Sequence, residues 1–156
     1  MITMYRSRFN IMPERQDASY KGLLRTFQHE LEEARARKVT LEPNGLSFRG
    51  GLFRFMSSWN IFVSITKGRI LLDPETSRVT YYLSFVEIIV VVTLMIGFMA
   101  LAAKHLPTEF YYWGLPLMWL WLVGANLAFA LTRFDRFMRR CIREAGFCIR
   151  EEKRSR

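Results

Sequence analysis

Two long apolar runs constrain this chain more than any other feature. Leu83 to Ala103 supplies 21 residues and Phe110 to Thr132 supplies 23, and Glu87 is their only charged side chain. A spanning helix needs about 20 apolar residues at 1.5 Å each. A chain of 156 residues is too small to bury two such helices in a soluble core. The rest of the chain holds 36 of the 37 charged side chains, and that segregation excludes a simple soluble globule. An aromatic content of 15% excludes a disordered chain.

These runs predict a membrane α+β protein built on a two-helix transmembrane hairpin over residues 83–132. The connection from Lys104 to Glu109 is six residues, short enough to force an antiparallel helix pair. Pro107 cannot continue the first helix, while Pro116 is tolerable in the first turns of the second. Orientation follows from Lys and Arg: 13 precede the hairpin, one lies in the connection and nine follow it. Both termini are therefore expected in the cytosol, with a multi-pass chain in a cell inner membrane. Tyr111, Tyr112 and Trp113 read as the outer aromatic belt, and Tyr81 and Tyr82 as the inner one. Residues 1–30 lack the continuous apolar stretch of a signal peptide.

The cytosolic remainder divides into three parts. Residues 1–16 read as a basic arm, with Arg6, Arg8 and Arg15 among Tyr5, Phe9, Ile11 and Met12. Residues 17–82 read as a small domain. Within it, Tyr20, Leu24, Phe27, Leu31 and Ala34 share one face of a helix over 18–38, with Asp17 or Ser19 as the cap. From Val39 the period changes to two, which predicts an antiparallel β-meander. Turn signals fall at Asn44-Gly45, Gly50-Gly51, Lys67-Gly68 and Asp73 to Ser77. A hairpin at Gly50-Gly51 pairs Phe48 with Phe53 and Leu46 with Phe55, all on one face. A hairpin at Lys67-Gly68 likewise pairs Ile65 with Ile70 and Val63 with Leu72. The last strand, 78–82, leads directly into the first apolar run. Residues 133–156 read as a basic amphipathic C-terminal helix, with Phe134, Phe137, Met138, Cys141, Ile142, Cys148 and Ile149 on one side.

Several side chains stand out as candidate sites. Glu87 and Asn126 are the polar residues within the spans, at similar depth, and intramembrane acids are functional candidates by default. The alternative is that Glu87 reaches the headgroups or pairs structurally. Gly97 with Ala100, and Gly124 with Ala128, are small-residue patches for helix packing. Arg133, Arg136, Arg139, Arg140 and Arg143 form a juxtamembrane cationic face suited to anionic headgroups. The competing reading continues the second span straight into the cytosol. His29 sits on the polar side of its helix, and a metal site needs three or four converging ligands. Cys141 and Cys148 are read as reduced cytosolic thiols, not a disulfide framework.

No Gly-rich phosphate loop, HExxH, CxxC or GxSxG motif is present. The expected function is a non-catalytic integral membrane subunit or adaptor of a larger assembly, without cofactor or metal. Its expected partners are anionic inner-leaflet lipids and other membrane subunits, or further copies of itself. Two alternatives remain: a homo-oligomeric channel or small transporter using Glu87 and Asn126, and an inner-leaflet sensor of anionic lipid. The net charge of +9 lies close to the membrane, so nucleic acid ranks last as a partner.

Overall fold

A computed structural model describes residues 4–14, 18–34, 36–50, 64–102 and 110–150. Its centre is one antiparallel sheet of six strands. In chain order they are β1 (Met4–Pro13), β2 (Arg37–Glu42), β3 (Gly45–Arg49), β4 (Lys67–Asp73), β5 (Arg78–Ser84) and β6 (Phe147–Arg150). Their order across the sheet is β2-β3-β4-β5-β1-β6. The helices are α1 (Tyr20–Glu33), α2 (Val86–Ala102) and α3 (Leu115–Glu144), the last preceded by a π-helical turn, Phe110–Gly114.

Alternation builds the sheet. In β4, Gly68, Ile70 and Leu72 are buried while Lys67, Arg69 and Asp73 are exposed. In β5, Val79, Tyr81 and Leu83 are buried. The buried face packs against α1 and the C-terminal half of α3. Leu23, Leu24, Phe27 and Leu31 are the buried side of α1. Ser19 occupies the cap position but makes no side-chain cap bond. From α3, Phe134, Phe137, Met138, Cys141 and Ile142 enter the core. The Phe134 ring meets Phe48, Tyr81 and Phe137 at centroid distances of 5.9, 5.1 and 5.7 Å.

The structure corrects the sequence expectations at four places. First, there is no two-helix transmembrane hairpin. Among the described residues only the helix over Tyr112–Glu144 is long and apolar enough to cross a membrane; the apolar helix Val86–Leu101 is shorter. The reason lies in the sheet. Leu83 and Ser84 pair with both β1 and β4, so the strand consumes the start of the first apolar run. The 17 residues of α2 reach about 26 Å, short of an apolar layer of about 30 Å.

Second, residues 4–13 are not a loose arm but an inner strand, paired with β5 on one side and β6 on the other. Third, residues 133–144 do not form a separate helix on the leaflet. They continue α3 without a break, their apolar side is in the core, and β6 follows at the sheet edge. Fourth, Lys67-Gly68 is not a turn. Gly68 lies inside β4, opposite Phe48 of β3 and Leu83 of β5, and Ile70 pairs with Leu46 and Tyr81. A Cβ on Gly68 would lie 2.1 Å from Phe48 Cζ, so glycine here makes room for a ring. The hairpin proposed at Gly50-Gly51 falls on Phe53 and Phe55, outside the described residues. Turns do occur at residues 43–44 and 74–77, joining β2 to β3 and β4 to β5.

Candidate functional site

Two surfaces remain once the core is assigned, and they adjoin each other. The first is apolar. The outer sides of α2, the π-helical turn and the N-terminal half of α3 expose Phe98 (72%), Leu101 (76%), Trp113 (74%) and Trp121 (70%). Only 17% of the most apolar stretch of the long helix is buried. A core helix of a soluble protein would be mostly covered, and this stretch is not. Ile88, Val92 and Ile96 form the buried side of α2, and Trp119 Nε1 donates to Thr93 Oγ1 at 2.9 Å across the pair.

The second surface is the face of the sheet turned away from α1 and α3. Alternation places Arg6 and Arg8 of β1, Arg49 of β3, Lys67 and Arg69 of β4, and Arg78 of β5 on it. Among the described residues of these strands, its acids are Glu42 and Asp73. Asp73 is spent on its own turn: it accepts from Thr76 Oγ1 at 2.6 Å, and this bond holds its carboxyl below the usual carboxylate range. Glu42 takes Arg69. Arg78 donates to Asn10 Oδ1 at 3.2 Å, and the Arg6 guanidinium lies 5.4 Å from the Tyr82 ring centroid. Among the described residues no helix covers this face.

At one end of that face lies a groove of about 400 Å³, lined by Lys38, Thr40, Ser47, Arg49, Lys67, Arg69 and Tyr82 among others. Cross-strand register assembles it. Thr40 faces Ser47, Ser47 faces Arg69, and Arg69 faces Tyr82. Arg37 faces Arg49, and Arg49 faces Lys67. Like charges directly opposite each other destabilise a sheet. Lys38 adds a further cost, because its φ of 47° is left-handed and the ladder is irregular between Arg37 and Thr40. Among the described residues, Lys38, Arg49 and Lys67 pair with no carboxylate.

The side chains singled out from the sequence are distributed differently. Glu87 is exposed in the first turn of α2, where its backbone N–H donates to Thr66 Oγ1 at 3.0 Å. Asn126 Nδ2 donates to the Leu122 carbonyl of its own helix at 2.7 Å. No described hydrogen bond joins the two. Gly97 and Gly124 face open space among the described residues, and Ala128 is exposed. Ala100 packs partly against the core.

The tail arginines also divide. Arg136 and Arg143 are exposed, and Arg133 is half-buried. Arg139 bonds Asp135 at 2.8 Å and stands over the Phe9 ring. Arg140 bridges Glu30 of α1 at 2.6 Å and Glu144 at 2.9 Å. Two of the five expected headgroup ligands thus brace the fold. His29 is exposed, and among the described residues no group of three metal-ligating side chains comes together. Cys141 is buried and Cys148 exposed, neither in a disulfide.

The grouping of the groove cations is not visible along the chain, because they lie on three strands and meet only through register. The one available signal was the alternation of Lys67 and Arg69 with Gly68 and Ile70. Compared with known proteins, the chain matches no family model, no curated protein and no solved structure.

Proposed function

We propose that the protein is a non-catalytic integral membrane subunit or adaptor. The apolar half of α3 anchors it, with α2 alongside, and the sheet domain stands at the cytosolic surface of the inner membrane. The observation that carries this reading is the apolar surface of α3 and α2, exposed at its largest side chains beside a sheet domain with a closed core. Burying such a surface is worth about 25 cal/mol per Å² in lipid or against a partner. The excess of Lys and Arg outside the apolar segments favours the cytosolic side for the sheet. Because β1 and β6 pair, the two ends of the described chain belong to one domain.

Mild solubilisation followed by native mass measurement tests the proposal. The expected particle is larger than one chain and carries other membrane subunits or further copies. A monomer without protein partners overturns the subunit reading. Release from membranes by alkaline carbonate without detergent overturns the anchor itself.

A further inference from the structure

We infer that the groove on the open sheet face is a binding site for the phosphate of an anionic phospholipid headgroup. The inference rests on the membrane anchor proposed above. Four cations line the groove, Lys38, Arg49, Lys67 and Arg69, and Glu42 beside them offsets only one. Ser47, Thr40 and Tyr82 bring hydroxyls to the same groove. This is the composition that phosphate oxygens require: several cationic donors with neutral donors between them.

The arrangement also has a stability cost that packing alone does not explain. Arg37, Arg49 and Lys67 stand in successive opposite positions on β2, β3 and β4. Each such like-charge contact is unfavourable, and a left-handed non-glycine residue, Lys38, borders them. An anion seated among these side chains turns mutual repulsion into shared attraction.

Position selects the source of the anion. Lys67 lies opposite Ser84, two residues before α2 begins. Thr66, the neighbour of Lys67, receives the backbone N–H of Glu87 in the first turn of α2. The groove therefore opens at the base of the apolar helices, at the level where headgroups lie. Arg69 and Tyr82 stand one side-chain repeat farther out, about 7 Å along the strands. A space of about 400 Å³ suits a single headgroup. It offers little to an extended nucleic acid, since Tyr82, its one aromatic side chain on the open face, is already faced by Arg6.

The test uses the full chain in phosphatidylcholine nanodiscs with and without phosphatidylglycerol, and counts retained lipids by native mass spectrometry. Arg49→Gln combined with Lys67→Gln should weaken phosphatidylglycerol retention at least about tenfold, at about 1 kcal/mol per basic residue near the surface. The same variant should unfold in phosphatidylcholine at the wild-type temperature or above it, because the opposed charges are gone. Arg136→Gln with Arg143→Gln, on α3, should retain lipid as the wild type does. If the groove variant retains phosphatidylglycerol like the wild type, the inference falls.

Two competition arms separate the sources of the anion. Inorganic phosphate or glycerol phosphate displacing the lipid at equal concentration would overturn a membrane ligand in favour of a free phosphate compound. A single-stranded oligonucleotide displacing it more strongly than either would overturn lipid in favour of nucleic acid. The anchor is judged separately, by flotation with vesicles in high salt. Flotation with unaltered lipid retention in the groove variant removes the site and leaves the anchor. Failure to float removes both.

Discussion

Phe134→Ala tests whether α3 is a strut of the sheet domain. The Phe134 ring is fully buried and touches three other rings within 6 Å, from β3, β5 and its own helix. A buried phenylalanine removes about 150–250 Å² from water. At about 25 cal/mol per Å² that is about 4–6 kcal/mol, an upper value because the unfolded chain already covers part of the ring. Alanine keeps the Cβ but leaves a cavity, and such core truncations cost about 3–5 kcal/mol. For a domain of this size, each kcal/mol lowers the melting temperature by about 4–8 °C, so the expected fall exceeds about 12 °C. Phe129→Ala, one turn earlier and outward-facing, removes the same group from an exposed site. It should stay within about 0.5 kcal/mol of wild type. Thermal unfolding of the detergent-solubilised protein measures both, and hydrogen exchange at β3 and β5 amides locates the damage. Equal effects of the two substitutions would refute docking of α3 on the sheet through this ring cluster.

Three further outcomes follow from particular contacts. Gly68→Ala drives a Cβ into the Phe48 ring, itself held by Phe134, and should destabilise by about 1–3 kcal/mol in chemical denaturation, with part of the loss recovered by adding Phe48→Leu. Burial pushes the Tyr81 phenol up to about 12, so the folded chain keeps a proton that the unfolded chain releases near 10. Stability should then be level below pH 10 and fall by about 2–3 kcal/mol between about pH 10 and 12, relative to Tyr81→Phe, in pH-dependent unfolding. Cys148 is exposed and Cys141 buried, so a maleimide should modify the native protein once and the unfolded protein twice, with Cys148→Ser unreactive until unfolded.

The helix α1 was legible because its apolar face has a period that no strand imitates, and Leu24, Phe27 and Leu31 are all buried as that period requires. The strand β1 was not, because Arg6 and Arg8 drew attention to charge. The alternation beneath them, Tyr5, Ser7, Phe9 and Ile11 toward the core side, went unread. The helical period in the tail holds for Phe134, Phe137, Met138, Cys141 and Ile142, but Cys148 and Ile149, expected on the same helical face, lie on strand β6, and the surroundings of α3 differ from those expected. The same apolar stripe that suits a leaflet suits a sheet, and only the presence of Phe48 and Tyr81 opposite Phe134 decides between them. Glycine misled for a similar reason. At Gly68 it signals a neighbouring ring, whereas a turn gives the identical letter.

The candidate site shows why charge along a chain and charge on a surface are different quantities. The five tail arginines are close in sequence, yet Arg139 and Arg140 face carboxylates at 2.6–2.9 Å, and that leaves them little attraction for anything else. Arg49 and Lys67 are 18 positions apart, yet the β3–β4 register sets them directly opposite each other. Proximity in sequence lets a helix place an acid at i+4 beside a base and cancel it, as Arg140 and Glu144 do. Cross-strand neighbours are chosen by register, and here register brings cation to cation at the end of the sheet nearest the apolar helices. The clustering of cations on this face is therefore set by strand register and not by runs of basic residues along the chain.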